Sequence, residues 1–105
     1  MQARFIHDGQ SIDFLSENDI PAGTVVIQKS LIGVTKLDII AGRLGALHVV
    51  GVFDVVKGSI AIPLGSPVYW DATTKKAVLT VTDNTLLGVA VADAAADDEV
   101  VRVRL

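Results

Sequence analysis

The sequence predicts an all-β fold, a small single-domain curled β-sandwich or barrel with at most one or two short helical turns. Two observations support this fold class. Short runs rich in Val, Ile and Thr recur along the chain, as is typical of strands. Gly, Pro, Asp and Asn, which favour turns, separate these runs. A length of 105 residues suits one ordinary domain, so residues 1–105 are expected to form a single unit.

The strands follow from these runs and from the turn residues that bound them. Asp8-Gly9 is typical of a hairpin turn, because both residues tolerate positive φ. The longest run, residues 46–56, is apolar at both alternating positions and is therefore expected to be covered on both faces. Residues 38–42 are expected to form a connection that permits one helical turn. The predicted strands are 4–7, 11–14, 24–28, 31–37, 46–56, 68–70, 76–82, 86–92 and 99–105.

Two segments of the chain resemble each other in order and composition. A Pro-x-Gly turn and a strand begin at Pro21 and again at Pro63. A Leu-x-Gly-Val strand that ends near an aspartate begins at Leu31 and again at Leu86. Glycine inside a strand marks a bulge or a bend, and repeated bends suit a barrel or a strongly curved sandwich. Duplication and convergent use of the same turn chemistry both explain the similarity.

Composition excludes several classes of protein. Apolar residues make up 50% of the chain and the mean hydropathy is +0.52, which favours apolar surface left over for a partner. The net charge of −3 disfavours nucleic-acid binding, since that needs clustered cations. The chain has no cysteine for a disulfide or a thiolate metal site. No apolar run approaches the ~18 residues of a membrane span, and the N-terminus has no apolar core of a secretory signal.

No group of residues predicts a catalytic, metal or cofactor site. His7 and His48 lack the spacing of paired metal ligands, so His7 is expected in a solvated turn and His48 in packing or at an interface. The acidic cluster from Asp93 to Glu99 does not match a calcium loop and is interpreted as a solvated turn. No phosphate-binding glycine loop and no nucleophile motif occurs. We therefore expect a protein that is not an enzyme and needs no cofactor.

Tyr69 and Trp70 form the one large aromatic pair. Adjacent strand residues point to opposite faces, so one ring is expected in the core and the other outside or at a subunit contact. Large aromatic side chains are frequent anchors of interfaces. Residues 1–5 are predicted to be a flexible N-terminal arm. The strand-like Arg4, Phe5 and Ile6 suggest that this end adds a strand to the exposed edge of a neighbour. Arg4, Phe5, Ile6, Tyr69 and Trp70 are therefore the candidate interface residues.

The C-terminal half resembles the tailed-phage capsid cement proteins, a family formerly described as a domain of unknown function. The resemblance lies in Gly65-Ser-Pro-Val-Tyr-Trp-Asp, Leu87-Gly-Val-Ala-Val-Ala-Asp and Val101-Arg-Val-Arg-Leu, with Gly51-Val-Phe-Asp-Val-Val-Lys as a central element. It extends over nearly all of the chain and is less specific in the N-terminal part. Some members carry a recombinase label, for which this sequence has no nucleotide-binding motif.

The resemblance implies a β-rich structural protein of the virion. Such proteins bind the major capsid protein on the outside of an icosahedral head, often as trimers, and reinforce the shell; they are made in the cytoplasm of the bacterial host. Neither nucleic acid nor membrane is an expected partner. Two alternatives stay open from the residues alone. One is a β-domain of a phage tail or fibre. The other is a small ligand-binding β-barrel that uses Tyr69 or Trp70 as a stacking platform.

Overall fold

The computed structural model describes all of residues 1–105 and contains nine strands and no helix, which confirms the all-β prediction. It contains no helix that is long and apolar enough to cross a membrane. The strands form one four-stranded and one five-stranded sheet. The strands are β1 (Ser11–Leu15), β2 (Val25–Gln28), β3 (Leu31–Thr35), β4 (Leu44–His48), β5 (Val52–Val56), β6 (Pro67–Asp71), β7 (Lys76–Val78), β8 (Thr85–Ala90) and β9 (Val100–Arg104).

Three of the predicted strands are wrong in extent or existence. Residues 4–7 form no strand, so Asp8-Gly9 does not turn a hairpin. The predicted strand 46–56 is two strands, β4 and β5, which belong to different sheets. The chain breaks between them at Gly51, whose φ of 129° is open to glycine and costly for other residues. The predicted strand 76–82 is only the three-residue β7.

The two sheets repeat one topology. The strand order is β1-β4-β3-β2 in the first sheet and β5-β9-β8-β6-β7 in the second. Apart from β7, each sheet therefore places its first, fourth, third and second strands side by side. The registers also agree, since Val34 pairs with His48 as Val89 pairs with Arg104. Residues 10–49 and 51–105 are thus two copies of one unit, here called the first and second halves.

The Pro-x-Gly turns of the two halves are built in the same way. Ala22 N–H donates to Asp38 Oδ1 at 2.8 Å, and Leu64 N–H donates to Asp93 Oδ1 at 2.7 Å. The glycine that follows has a positive φ in both turns, 76° at Gly23 and 85° at Gly65. The aspartate that follows each Leu-x-Gly-Val strand therefore holds the preceding turn, which explains why turn and aspartate recur together.

The strand glycines predicted as bends lie where two strands approach closely. A Cβ on Gly33 would lie 2.9 Å from the carbonyl oxygen of His48. A Cβ on Gly88 would overlap the carbonyl oxygen of Arg104, which occupies the equivalent position in the second half. Both glycines leave space for the backbone of the last strand of their half, β4 or β9. The same close approach thus recurs in both copies.

The halves differ in closure and in burial. β7 extends the second sheet beyond β6, and a bridge between Lys57 and Ala77 joins it to the residue after β5, so this sheet curls toward closure. Ten buried residues form its core. The first half has no counterpart of β7, and its own cluster contains only Phe14, Ile39 and Leu47. Val25, Ile27 and Ile32 of the first half pack against the larger core.

Candidate functional site

The structure places Arg4, Phe5 and Ile6 in the segment of residues 1–9 that precedes β1, here called the N-terminal segment. All but Gly9 are exposed, and Phe5 and Ile6 show 77% and 74% of their surface. The segment's single hydrogen bond joins Gly9 N–H to His7 Nδ1 at 2.9 Å. His7 therefore lies in a solvated turn, as predicted. Two large apolar side chains at one end of the chain are left without any cover.

Tyr69 and Trp70 lie on opposite faces of β6, as the alternation of strand side chains predicts. Trp70 is 9% exposed and belongs to the core of the second half, whereas Tyr69 is half-buried on the other face. The structure does not bring either ring together with the N-terminal segment. The five predicted interface residues thus lie in two separate regions, the N-terminal segment and β6.

A groove of about 510 Å³ lies between β2 of the first half and β5 of the second. Its walls are mainly apolar and include Val25, Ile27, Phe53, Val55 and Trp70. Two charged residues, Asp54 and Lys75, also line it. Both β2 and β5 are edge strands, so the groove separates the free edges of the two sheets. Apolar grooves beside free strand edges are suited to binding an extended segment of protein.

The carboxylate of Asp54 is held in its ionised form by a neighbour. Arg102 Nε donates to Asp54 Oδ1 at 2.9 Å and Nη2 donates to Oδ2 at 3.2 Å. This bidentate hydrogen bonding lowers the pKa of Asp54 and raises the pKa of Arg102. Both side chains are exposed, so the pair orients charge on the surface and adds little to stability.

Two exposed apolar pairs occupy equivalent positions in the two halves. Leu15 lies opposite Leu44 on β1 and β4, and Val56 lies opposite Val100 on β5 and β9. All four side chains are exposed, the leucines by 63% and 68% and the valines by 53% and 41%. These pairs were not predicted from the sequence. The available signal was the alternation along β5, which places Val52, Asp54 and Val56 on one face. That alternation does not tell which face is solvated.

The polar residues considered for chemistry have structural roles in this fold. The ring of His48 packs against Phe53 with a centroid distance of 5.5 Å. In the acidic turn, Asp93 accepts from Leu64 N–H and Asp98 accepts from Ala95 N–H. No three His, Asp or Glu side chains are grouped closely enough to hold a metal ion. The arrangement of these residues therefore stabilises turns and packing.

Lys57 is a buried cation that sequence reasoning did not single out. Its side chain is almost fully buried, and Nζ donates to the carbonyl oxygens of Gly58, Ile60 and Ala96. These bonds join the loop after β5 to the acidic turn before β9. Three carbonyl partners replace the water that the ammonium loses on burial. The role of Lys57 is thus to fix two loops beside the bridge to Ala77.

A family model described as phage cement protein matches residues 6–105, nearly the whole chain. The chain belongs to the phage cement protein family. Searches of curated proteins and of solved structures gave no match. Membership confirms the resemblance seen in the sequence and indicates a structural, capsid-associated role in the bacteriophage virion. For a cement protein, exposed apolar pairs, a groove between sheet edges and an uncovered N-terminal segment are the relevant features, since its task is adhesion.

Proposed function

We propose that this cement protein binds the outside of an icosahedral phage head, contacts the major capsid protein and stabilises the shell. The observation that carries the proposal is the pair of matching apolar patches, Leu15 with Leu44 and Val56 with Val100, on a chain whose family is that of phage cement proteins. The net charge of −3 supports the outer surface, because an acidic protein is repelled by packaged DNA.

The energetics of the apolar patches suit a protein that is present in many copies. Burying one exposed leucine or valine completely is worth roughly 1.5–3 kcal/mol, and these four are only partly exposed. A subunit therefore gains modest energy at each patch. Two patches per subunit and a symmetric shell that presents repeated sites turn modest contacts into firm retention through multivalency.

The five residues singled out in the sequence remain part of this proposal. Arg4, Phe5 and Ile6 contact a neighbouring subunit on the shell, and the proposed oligomer is a trimer. Tyr69, half-buried on the outer side of β6, contributes a polar-tipped aromatic contact to the interface. Trp70 contributes from inside, as part of the wall of the groove. Its burial argues against the alternative role of a ligand-stacking platform, which needs an exposed ring face.

The test is to add the purified chain to expanded, undecorated capsids and to measure retention and the temperature of shell disruption. The unmodified chain is expected to stay bound through sedimentation and to raise that temperature. A chain with Leu15→Asp and Leu44→Asp is expected to bind at least tenfold more weakly, because charges would be buried against the shell. Val81→Asp, at an exposed apolar residue of a loop, is the matched control and is expected to bind normally.

The outcomes separate the proposal from its rivals. Equal retention of both variants would show that the patch of Leu15 and Leu44 does not face the capsid. Electron cryomicroscopy of decorated particles locates the density, and density on the tail in place of the head would replace the proposed site by a tail or fibre role. Absence of any retention on expanded heads would overturn the capsid-binding proposal as a whole.

A further inference from the structure

The first half lacks a strand that the second half contains. In the second half, the chain turns after β6 and pairs β7 with it at Tyr69–Val78, Trp70–Ala77 and Asp71–Lys76. In the first half, β2 is the counterpart of β6, but β2 pairs only with β3. The position beside β2 that would correspond to β7 holds no strand of the chain. The internal repeat therefore shows what kind of element fits there.

The free edge of β2 presents unpaired backbone groups. Thr35 N–H donates to Thr24 O at 2.9 Å, and in an antiparallel pair the groups facing the partner alternate along the strand. The N–H and C=O groups of Val25 and Ile27 therefore point away from β3. Both residues also line the groove between the sheets. An open row of donors and acceptors beside an apolar groove is a template for an added strand.

The N-terminal segment has the properties of such a strand. It forms no bridge with any strand of its own chain. Phe5 and Ile6 are adjacent, so an extended conformation sends one side chain into the groove and the other to the opposite face. The side-chain charges of the segment, Arg4 and Asp8, cancel, so its attraction to another subunit rests on backbone pairing and on burial of Phe5 and Ile6.

We propose that the N-terminal segment of a second copy of the chain adds to the outer edge of β2, in the position that β7 takes beside β6. Each subunit has one segment to give and one free β2 edge to fill, so the contact is head-to-tail, and a rotation that closes gives a ring such as the proposed trimer. The inference deepens the proposed function, on which it rests, by naming the partner and the docking strand of Arg4, Phe5 and Ile6.

Two full-length variants separate the two parts of the contact. Phe5→Asp with Ile6→Asp, the segment variant, removes the apolar side chains but keeps the β2 edge. Ile27→Pro, the edge variant, removes an outward N–H at the counterpart of Tyr69, which pairs with β7, and keeps the segment. The pairing of β2 with β3 does not use that N–H. Asp13→Pro is the matched control, since register places its N–H on the free outer edge of β1 in the same sheet. Circular dichroism and urea titration verify that each variant is folded.

The measurement is mass by light scattering across a concentration series, without capsids. The unmodified chain and Asp13→Pro are expected to form oligomers. The segment variant and the edge variant are each expected to associate at least tenfold more weakly and to be monomeric at the same concentration. A mixture of these two variants is expected to form a dimer that grows no further, because one intact segment meets one intact edge.

Several results would overturn the inference. These are an unchanged mass in both variants, a mixture that stays monomeric, or a loss of association by Asp13→Pro as strong as that by Ile27→Pro. If Ile27→Pro does not fold, Ile27→Lys takes its place by setting an ammonium into the groove. Failure here is distinct from failure on capsids. If the chain is retained on heads but the two variants form no mixed dimer, only this contact is contradicted. If the two variants form the mixed dimer but the chain is not retained on heads, only the capsid role is contradicted.

Discussion

The two halves of this cement protein share strand order, register and turn chemistry, yet one is closed and well buried while the other is open. The second half has a core of ten buried residues and the first has three. The main architectural difference is the short hairpin that adds β7 and bridges Ala77 to Lys57. Backbone pairing thus sets the topology of both halves, whereas closure of the sheet decides how much of each is buried.

The largest effect on the free energy of unfolding is expected from two isoleucines at equivalent positions in the two halves. Ile62 is fully buried in the core of the second half, while Ile20 is only half-buried in the first. Ile62→Ala is expected to lower the free energy of unfolding by about 2–5 kcal/mol, because it leaves a cavity. Ile20→Ala should cost roughly half as much, since less area leaves water on folding. Urea unfolding of both variants measures this, and equal losses would contradict the difference in burial.

The next comparison uses the strand glycines. Gly88→Ala places a methyl group against the Arg104 carbonyl, and the backbone of β9 must move. The expected loss of stability is about 3 kcal/mol, at the upper end of the cost of overpacking. Gly33→Ala meets its neighbour at 2.9 Å and should cost about 1 kcal/mol. Thermal unfolding of the two variants measures which one loses more stability. A larger loss in Gly33→Ala than in Gly88→Ala would contradict the prediction.

A third comparison sets Lys57 against Ser16, which occupies the equivalent position in the first half. Lys57→Met keeps the packing but leaves three carbonyl oxygens without their donor, at an expected cost of about 1–3 kcal/mol. Ser16 Oγ accepts only from Asn18 N–H, so Ser16→Ala should cost about 1 kcal/mol or less. Hydrogen exchange should also be faster in residues 58–62 of the Lys57 variant alone. Unchanged exchange there would show that the lysine does not fix this loop.

The smallest effect concerns pH. Hydrogen bonding to Arg102 lowers the pKa of Asp54 below its ordinary value of 3.8, so the folded chain binds this proton less readily than the unfolded chain. The stabilisation is complete above pH 3.8 and is lost as the pH falls through the lowered value. Asp54→Asn should therefore lower the melting temperature slightly near pH 7, and the difference from the unmodified chain should disappear as the pH falls below 4. Asp13→Asn, at the unpaired equivalent position, is the control, and an identical acid profile would contradict the role of the ion pair.

Much of the fold was predictable because it depends on local chemistry. The Pro-x-Gly turns, the strand glycines and the acidic turn after β8 are where the sequence predicts them, since each needs only its own residue types. The similarity between the segments at Pro21 and Pro63 also corresponds to a repeated unit. The break at Gly51 was not predictable, because the apolar run across it has the same pattern as one long strand.

The candidate interface was less predictable because exposure depends on long-range pairing. Alternation places Leu44 and Leu47 on opposite faces of β4, but nothing local tells which of the two faces is exposed. One of the three acceptors of the buried Lys57 ammonium is the carbonyl group of Ala96, far along the chain. Tyr69 and Trp70 were predictable as an inside–outside pair, since alternation along a strand is local.

Each half of the chain begins and ends at nearly the same point in space. Val49 N–H donates to Gln10 O across the ends of the first half, and Leu105 N–H donates to Gly51 O across the ends of the second. A unit whose ends meet can be joined to another copy of itself by a link of one or two residues, without disturbing either interior. The same geometry makes the chain suited to circular permutation, with a new terminus at Gly51 and the old ends joined through the N-terminal segment.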